Sequence, residues 1–174
     1  MPEKETMERV ERDKEEGKSA STQAGEFIRE EMHHIREGKH GARSPQQAIA
    51  IGLSKARRAG VDLQAPPVGK VSPEVHERAE RDIREGRSGA TDRPSPRRSH
   101  AVAKALKREG RSAASAASLS RHAHESSERR GKPARQESAR RAVQTKRHEG
   151  ITRGARKGAH STRARRRNSK PDEE

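Results

Sequence analysis

The amino-acid sequence predicts a mostly α-helical protein, with a small helical hairpin, further short helices and extensive disorder in its basic C-terminal part. Three observations lead to this prediction. Apolar residues between residues 19 and 65 recur at three- and four-residue steps, the spacing of one helix face. Only 26% of the 174 residues are hydrophobic, and the formal net charge is +15, a composition that limits how much of the chain can order. Residues 97–170 hold 23 basic and 5 acidic side chains, so the charge is concentrated at one end.

The best-marked helix is predicted between Ser44 and Gly60. Ser44 is a favourable N-cap, Pro45 suits the first helical position, and Gln47 stands where a capping box places Glu or Gln. Gly60 is predicted to follow the last turn, where glycine adopts a left-handed conformation. Start and stop signals therefore agree for this segment.

A stripe of small residues lies along this helix at four-residue steps: Ala48, Gly52 and Ala56. Glycine inside a helix costs roughly 1 kcal/mol relative to alanine, so Gly52 is expected to have a packing reason. The stripe predicts that another backbone approaches closely along this side. A homodimer that pairs these faces is one hypothesis.

A preceding helix is predicted from about Ser21 to Glu37, ending at Gly38. Its apolar side chains fall on one face: Ala24, Phe27, Ile28, Met32 and Ile35. Across a short loop this face would meet Ile49 and Leu53 of the next helix, which makes an αα-hairpin, with Val61 and Leu63 folding back over its end.

The segment Gly38–Gly60, together with residues 21–32, resembles a family of small bacterial proteins that carry a domain of unknown function. The resemblance covers roughly residues 15 to 63. It implies a bacterial, cytoplasmic setting. It brings no activity and no functional residues.

Composition divides the chain into four segments: an acidic solvated helix (1–18), the hairpin module (19–65), a linker with one helix and a degenerate repeat (66–96), and a basic, largely disordered tail (97–174). The repeat is visible because residues 83–90 match residues 35–42, each followed by Ser-Pro and a helix that ends in glycine. Duplication is favoured over convergent capping signals, and both stay open.

Several functional classes are disfavoured by residue content. Without cysteine the chain has no disulfide, thiolate metal site or cysteine nucleophile. No apolar run approaches the roughly 18 residues of a membrane span, and no signal peptide is visible, so we expect a soluble intracellular protein without membrane contact. A glycine-rich phosphate loop and a scaffold for a catalytic triad are both missing. We therefore expect no enzyme, no cofactor and no small-molecule substrate.

Two helical pairs, Glu30-x-x-His33 and Glu31-x-x-His34, have the spacing found in di-iron helical bundles. Those sites need matching carboxylates from other helices, and a single copy on an acidic helix is usually a solvated surface. We expect no metal site here.

Clustered basic residues carry the strongest functional signal. The tail resembles the C-terminal tails of linker histones and bacterial histone-like proteins, and such tails bind nucleic acid by neutralising phosphates. The segment Ser95-Pro96-Arg97-Arg98 resembles histone-tail turns that lie in the minor groove, although an ordinary N-cap is the favoured interpretation.

At the hairpin, Lys39, His40 and Arg43 flank the start of the Ser44 helix, an arrangement suited to an anion. The candidate nucleic-acid-binding residues are Lys39, Arg43, Lys55, Arg57, Arg58, Arg97, Arg98, Arg140, Arg141, Lys146, Arg147, Arg156, Lys157, Arg163, Arg165, Arg166 and Arg167.

These features predict non-specific binding to the phosphate backbone of DNA or RNA, DNA being favoured, in a nucleoid-associated cytoplasmic protein. The hairpin would serve as a docking or dimerisation module. The alternative hypothesis is a non-catalytic protein-interaction or stress-protection protein whose tail only confers solubility.

Overall fold

The computed structural model describes the backbone of residues 2–89 and 95–168, and the side chains within these ranges up to residue 146. Its helices are α1 (Lys4–Glu15), α2 (Ala20–Glu37), α3 (Pro45–Arg58), α4 (Pro73–Ser88), α5 (Pro96–Arg108) and α6 (Ala116–Asn168), with a 3-10 turn at Ser112–Ala114. Within these ranges an isolated bridge between Val68 and Val71 is the sole β-type pairing. The predicted mostly α class is confirmed.

The chain forms two compact units, the first ending at Ala123 and the second beginning at His124. This division differs from the boundary before residue 97 suggested by composition. Helix α5 and the 3-10 turn belong to the first unit.

Local capping signals in the hairpin are confirmed. Ser44 Oγ accepts a hydrogen bond from the backbone N–H of Gln47 at 3.2 Å, and Gln47 Oε1 accepts from the backbone N–H of Arg43 at 2.8 Å. Gly38 ends α2 with φ 78°, and Gly60 follows α3 with φ 88°. Both glycines occupy the left-handed region, which explains why these helices stop where the sequence indicated.

Helices α2 and α3 pack as the predicted antiparallel hairpin, with the small-residue stripe between them. Ala48 and Ala56 are fully buried, and a Cβ added to Gly52 would lie 2.8 Å from the Ile28 Cα. The predicted close approach is thus present, and its partner is α2 of the same chain. The Ala48, Gly52 and Ala56 face is therefore not available to a second copy, which removes the surface on which the homodimer was placed.

Two apolar clusters make the core, and α2 contributes to both. The first cluster joins α2 and α3 to the 3-10 turn, through Met32, Ile35, Ala42, Ala48, Ala113 and Ala114, with Ile28, Ile49 and Leu119 packed against it. The second joins α1, α2, α3 and the chain that follows α3, through Val10, Ala24, Phe27, Ala56 and Val61, with Ala20, Leu53, Ala59 and Leu63 packed against it.

Helix α1 packs on α2, whereas the sequence predicted a solvated helix. Thr6 and Val10 are buried, and so is most of Asp13. Arg9 Nε donates to Glu26 Oε2 at 2.6 Å across the two helices. The expectation was wrong because Thr6 and Val10 lie on the same face of α1, and this face is buried against α2 although it carries only these two side chains with apolar groups.

The chain from α5 to the start of α6 also packs on the hairpin. The backbone N–H groups of Gly41 and Ala42 donate to the carbonyls of Leu106 and Gly110, at 2.9 and 3.1 Å. In the 3-10 turn, Ala113 and Ala114 are 3% and 0% exposed. Residues that composition assigned to the tail therefore complete the first core cluster.

Helix α4 packs on α3 through a buried face that includes Ala79 and Asp82. Its sequence match to the end of α2 is not a structural match. Gly38 terminates α2, but Gly86 lies inside α4, which continues to Ser88 and is followed by Gly89 with φ 62°. Position 86 requires glycine for a different reason, because the Arg57 carbonyl occupies the space of a side chain.

Helix α6 is interrupted at Gly131, where the backbone has φ 73° and ψ 171°. Its apolar residues define no single face, and its side chains between residues 124 and 146 are mostly exposed, including Val143 at 51%. Among the helices that the structure describes, none has the length and apolar character needed to cross a membrane.

Candidate nucleic-acid interface and a buried carboxylate–histidine cluster

Helix α5 presents basic side chains to solvent along its length. Arg97 and Arg98 are exposed, and the helix has no buried residue. Ser95 Oγ accepts from the backbone N–H of Arg98 at 3.3 Å, so the Ser-Pro-basic segment is a helix N-cap here. Further along the helix, three cations, Lys104, Lys107 and Arg108, line a surface cavity of about 270 Å³ together with His100 and Ala103.

The described part of α6 is similarly basic. Arg140, Arg141 and Lys146 are exposed, and Arg141 forms an ion pair with Glu137 one turn earlier at 3.0 Å. The other predicted tail contacts have side chains outside the described residues: Arg147, Arg156, Lys157, Arg163, Arg165, Arg166 and Arg167.

Two of the predicted hairpin cations pair with carboxylates, Lys55 in a largely buried position and Lys39 at the surface. Lys55 Nζ pairs with Glu31 Oε1 and lies 3.4 Å from Glu30 Oε1, and its side chain is only 20% exposed. Lys39 Nζ pairs with Glu3 at 2.8 Å and with Glu37 at 3.1 Å. The Lys55 ammonium is therefore engaged by these two buried carboxylates, whereas Lys39 stays at the surface and remains a predicted contact.

The three hairpin arginines among the predicted contacts differ in how far their side chains are exposed. Arg43 is 75% exposed, with Glu109 at 3.8 Å. Arg58 is 46% exposed and faces Asp82 at 3.6 Å. Arg57 donates to the carbonyls that follow α3, and burial lowers the pKa of its guanidinium below the ordinary value. Of the three side chains predicted to flank an anion at the start of α3, Arg43 and Lys39 are exposed, whereas His40 is 18% exposed and lies beside Glu31. The anion site stays a prediction.

Glu30 and Glu31 of α2 are 3% and 0% exposed, and both belong to a cluster of polar side chains. Glu30 Oε2 accepts from the backbone N–H of Glu3 at 3.1 Å. Burial raises the pKa of Glu30, but the Thr6 hydroxyl, this N–H and the charge of Lys55 together outweigh it, so the pKa is lowered. Glu30 is thus an ionised structural group.

Glu31 shares its surroundings with two histidines. His34 Nδ1 lies 3.7 Å from Glu31 Oε1, and His40 Nε2 lies 3.3 Å from Glu31 Oε2. One ligand atom from each of the three residues lies within 4.8 Å of the other two. Oε2 of Glu31 is buried and has no hydrogen-bond partner.

The far nitrogens of both rings are held from outside the cluster. His34 Nε2 bonds Glu3 Oε1 at 2.8 Å, and His40 Nδ1 bonds the Gly41 carbonyl at 3.1 Å. Hydrogen bonds from Lys39, and then from His34, lower the pKa of Glu3 to about 2. Glu3 is therefore a charged acceptor for the ring.

The sequence contained part of this cluster. The expectation of a solvated face is right for His33, which is 62% exposed, and wrong for Glu31 and His34, which are buried. Nothing in the sequence indicated that His40 belongs to this cluster, because it follows the chain reversal at Gly38 and reaches Glu31 only through the fold.

Comparisons of this chain with protein-family models, curated proteins and solved structures find no match. The resemblance of residues 15–63 to small bacterial proteins therefore stays a prediction from sequence.

Proposed function

We propose that the protein binds nucleic acid, duplex DNA foremost, without sequence specificity through residues 97–170, while the hairpin module serves for docking. The observation that supports this most is the surplus of exposed cations after residue 95. Within residues 95–146, which contain 14 Lys and Arg, the described ion pairs are those of Arg141 with Glu137 and of Glu109 with Arg43.

The density of charge along α6 suits a phosphate backbone. The helix contains 16 Lys and Arg and 4 acidic residues among its 53 residues. At a rise of 1.5 Å per residue this gives about one cation per 5 Å, while duplex DNA offers one phosphate charge per about 1.7 Å. Cations on the side of the helix that faces the duplex therefore have phosphates within reach, and the release of counterions from DNA favours binding.

Base recognition by stacking has no support in this chain. Its one aromatic residue, Phe27, is fully buried in the core. Sequence-specific readout of single strands relies on exposed aromatic rings, so we expect contacts with the backbone rather than with bases.

The test is the salt dependence of binding. Fluorescence anisotropy of random-sequence duplex DNA with the full-length protein should give a log–log slope of about −5 or steeper, as expected when six or more phosphates are neutralised. Absence of binding at low salt would exclude the proposed function and leave the protein-interaction hypothesis.

A matched pair of variants separates local contacts from total charge. Arg140→Gln/Arg141→Gln/Lys146→Gln should make the slope shallower by about 2–3, at about 0.9 for each phosphate that is no longer neutralised. The control, Lys4→Gln/Lys14→Gln/Arg29→Gln, removes the same charge from side chains that are 92%, 68% and 72% exposed, and should leave the slope unchanged. An equally shallow slope in both variants would mean that net charge, and not the tail, determines binding.

A further inference from the structure

We propose that Glu31, His34 and His40 bind a divalent transition-metal cation of the zinc class. The ligands would be Oε2 of Glu31, Nδ1 of His34 and Nε2 of His40. This site lies in the first unit, and none of its three ligands is among the predicted nucleic-acid-binding residues.

The first support is the unsatisfied carboxylate oxygen. Glu31 is fully buried, and Lys55 pairs with its Oε1 while its Oε2 has no hydrogen bond. A buried carboxylate oxygen without a donor is energetically unfavourable. A cation bound at Oε2 would remove this cost without displacing Lys55.

The second support is the orientation of the two imidazole rings. A carbonyl and a carboxylate can only accept, so His40 Nδ1 and His34 Nε2 must carry the protons of the bonds to Gly41 and Glu3. In neutral rings the other nitrogens, His40 Nε2 and His34 Nδ1, then present lone pairs toward Glu31. One electron-pair donor from each of Glu31, His34 and His40 then lies within 4.8 Å of the other two, an arrangement that suits a metal cation.

Distances in the cluster match a compact coordination sphere. With Zn–N and Zn–O bonds of about 2.0–2.1 Å, neighbouring ligands of a tetrahedral site lie about 3.3 Å apart. The observed separation between Glu31 Oε2 and His40 Nε2 is 3.3 Å, and one ligand atom from each of the three residues lies within 4.8 Å of the other two. Small side-chain rotations would therefore complete the site.

The surroundings of the rings are those of metal-bound histidines. Such histidines usually donate their second N–H to a carboxylate or a backbone carbonyl, which fixes the tautomer and the ring orientation. Glu3 and the Gly41 carbonyl supply one acceptor of each kind. Lys39 in turn holds Glu3 in place at 2.8 Å.

Charge and ligand type indicate which cation fits. Glu3 and Glu37 face Lys39, and Glu30 and Glu31 face Lys55, so these groups keep two negative charges when the histidines are neutral. Two imidazoles and one carboxylate suit zinc, cobalt, nickel or iron better than magnesium or calcium. Three protein ligands leave a fourth position for water or another ligand.

The experiment titrates metal-free full-length protein with Co²⁺, followed by its visible absorption, and with Zn²⁺ against a chromophoric chelator. We expect one tight equivalent per chain. His40→Gln and Glu31→Gln should each weaken binding at least tenfold, and Glu3→Gln should weaken it about 10–100-fold through the ring it holds. His33→Gln is the control, since this neighbouring histidine is 62% exposed and pairs with Glu37 instead, and it should bind as the unaltered protein does.

A second measurement needs no variant, in case Glu31→Gln or His40→Gln does not fold. Long-range ¹H–¹⁵N spectra of the histidine rings should show that Zn²⁺ shifts Nε2 of His40 and Nδ1 of His34 and leaves His33 unchanged. The proposal would be overturned if Zn²⁺ left both rings unchanged, or if they were doubly protonated imidazolium ions paired with Glu31. Binding that is equally strong in His40→Gln would likewise assign the metal to other surface histidines.

Discussion

Residues 2–89 and residues 95–146 contain the same kinds of charged side chain in opposite arrangements. The first stretch is electroneutral, with 17 basic and 17 acidic residues, and the second has 14 basic and 4 acidic residues. In the first, ion pairs link separate elements, such as Arg9 with Glu26 and Arg58 with Asp82. In the second, the ion pair formed within the described stretch is a local one on the surface of α6.

This difference shows that a count of Lys and Arg does not identify a polyanion-binding surface. Lys55 and Arg140 look equivalent in sequence, yet one pairs with buried carboxylates and the other is exposed. Charges that are balanced locally hold helices together, while an unbalanced excess repels itself and gains from an external anion. Four pairs of substitutions test which parts of the chain are packed and which are exposed.

The largest effect is expected from truncation in the core. Phe27→Ala should lower the free energy of unfolding by about 3–5 kcal/mol, because Phe27 is fully buried between α2 and its partners. Val143→Ala on α6 should change it by less than about 0.5 kcal/mol, since this valine is 51% exposed. Chemical denaturation followed by circular dichroism measures both. A large destabilisation in Val143→Ala would show that α6 is packed after all.

The next effect tests where the folded unit ends. Ala114→Asp should destabilise the first unit by about 2–3 kcal/mol, because it buries a carboxylate beneath the hairpin. It should also expose the chain near residue 110 to limited proteolysis. Ala117→Asp, three residues on and exposed in the first turn of α6, should have neither effect. Equal proteolysis in the two variants would contradict docking of the 3-10 turn.

A smaller effect concerns two glycines in the hairpin helices. Gly52→Ala should destabilise by about 1–2 kcal/mol, because the new Cβ would press on the Ile28 backbone. Gly25→Ala should stabilise by about 0.5–1 kcal/mol, since no atom lies within 4 Å of its Cβ position and alanine favours the helix. Thermal unfolding of both variants gives the two signs. A stabilised Gly52→Ala variant would rule out the close packing of α2 and α3.

The smallest effect compares two N-caps. Ser44→Ala should cost about 1 kcal/mol, because its hydroxyl caps a helix that carries much of the core. Ser95→Ala removes a similar bond at the start of α5, which has no buried residue, so global stability should fall by less than about 0.5 kcal/mol. Hydrogen exchange should show fraying confined to the first turn of α5. Equal global destabilisation would mean that α5 unfolds only together with the hairpin.

By itself the sequence determined the helices of the hairpin, their ends and the uneven charge. These follow from local rules: Ser44 caps its own helix, Gly38 and Gly60 adopt positive φ, and apolar side chains recur at helical spacing. Tertiary structure alone decided which charges are neutralised and which polar groups meet. Lys55 reaches Glu31 across 24 residues, and Arg36 reaches the Ala114 carbonyl across 78. Such contacts depend on how helices pack, so the position of His40 beside the Glu31 and His34 pair became visible only in the fold.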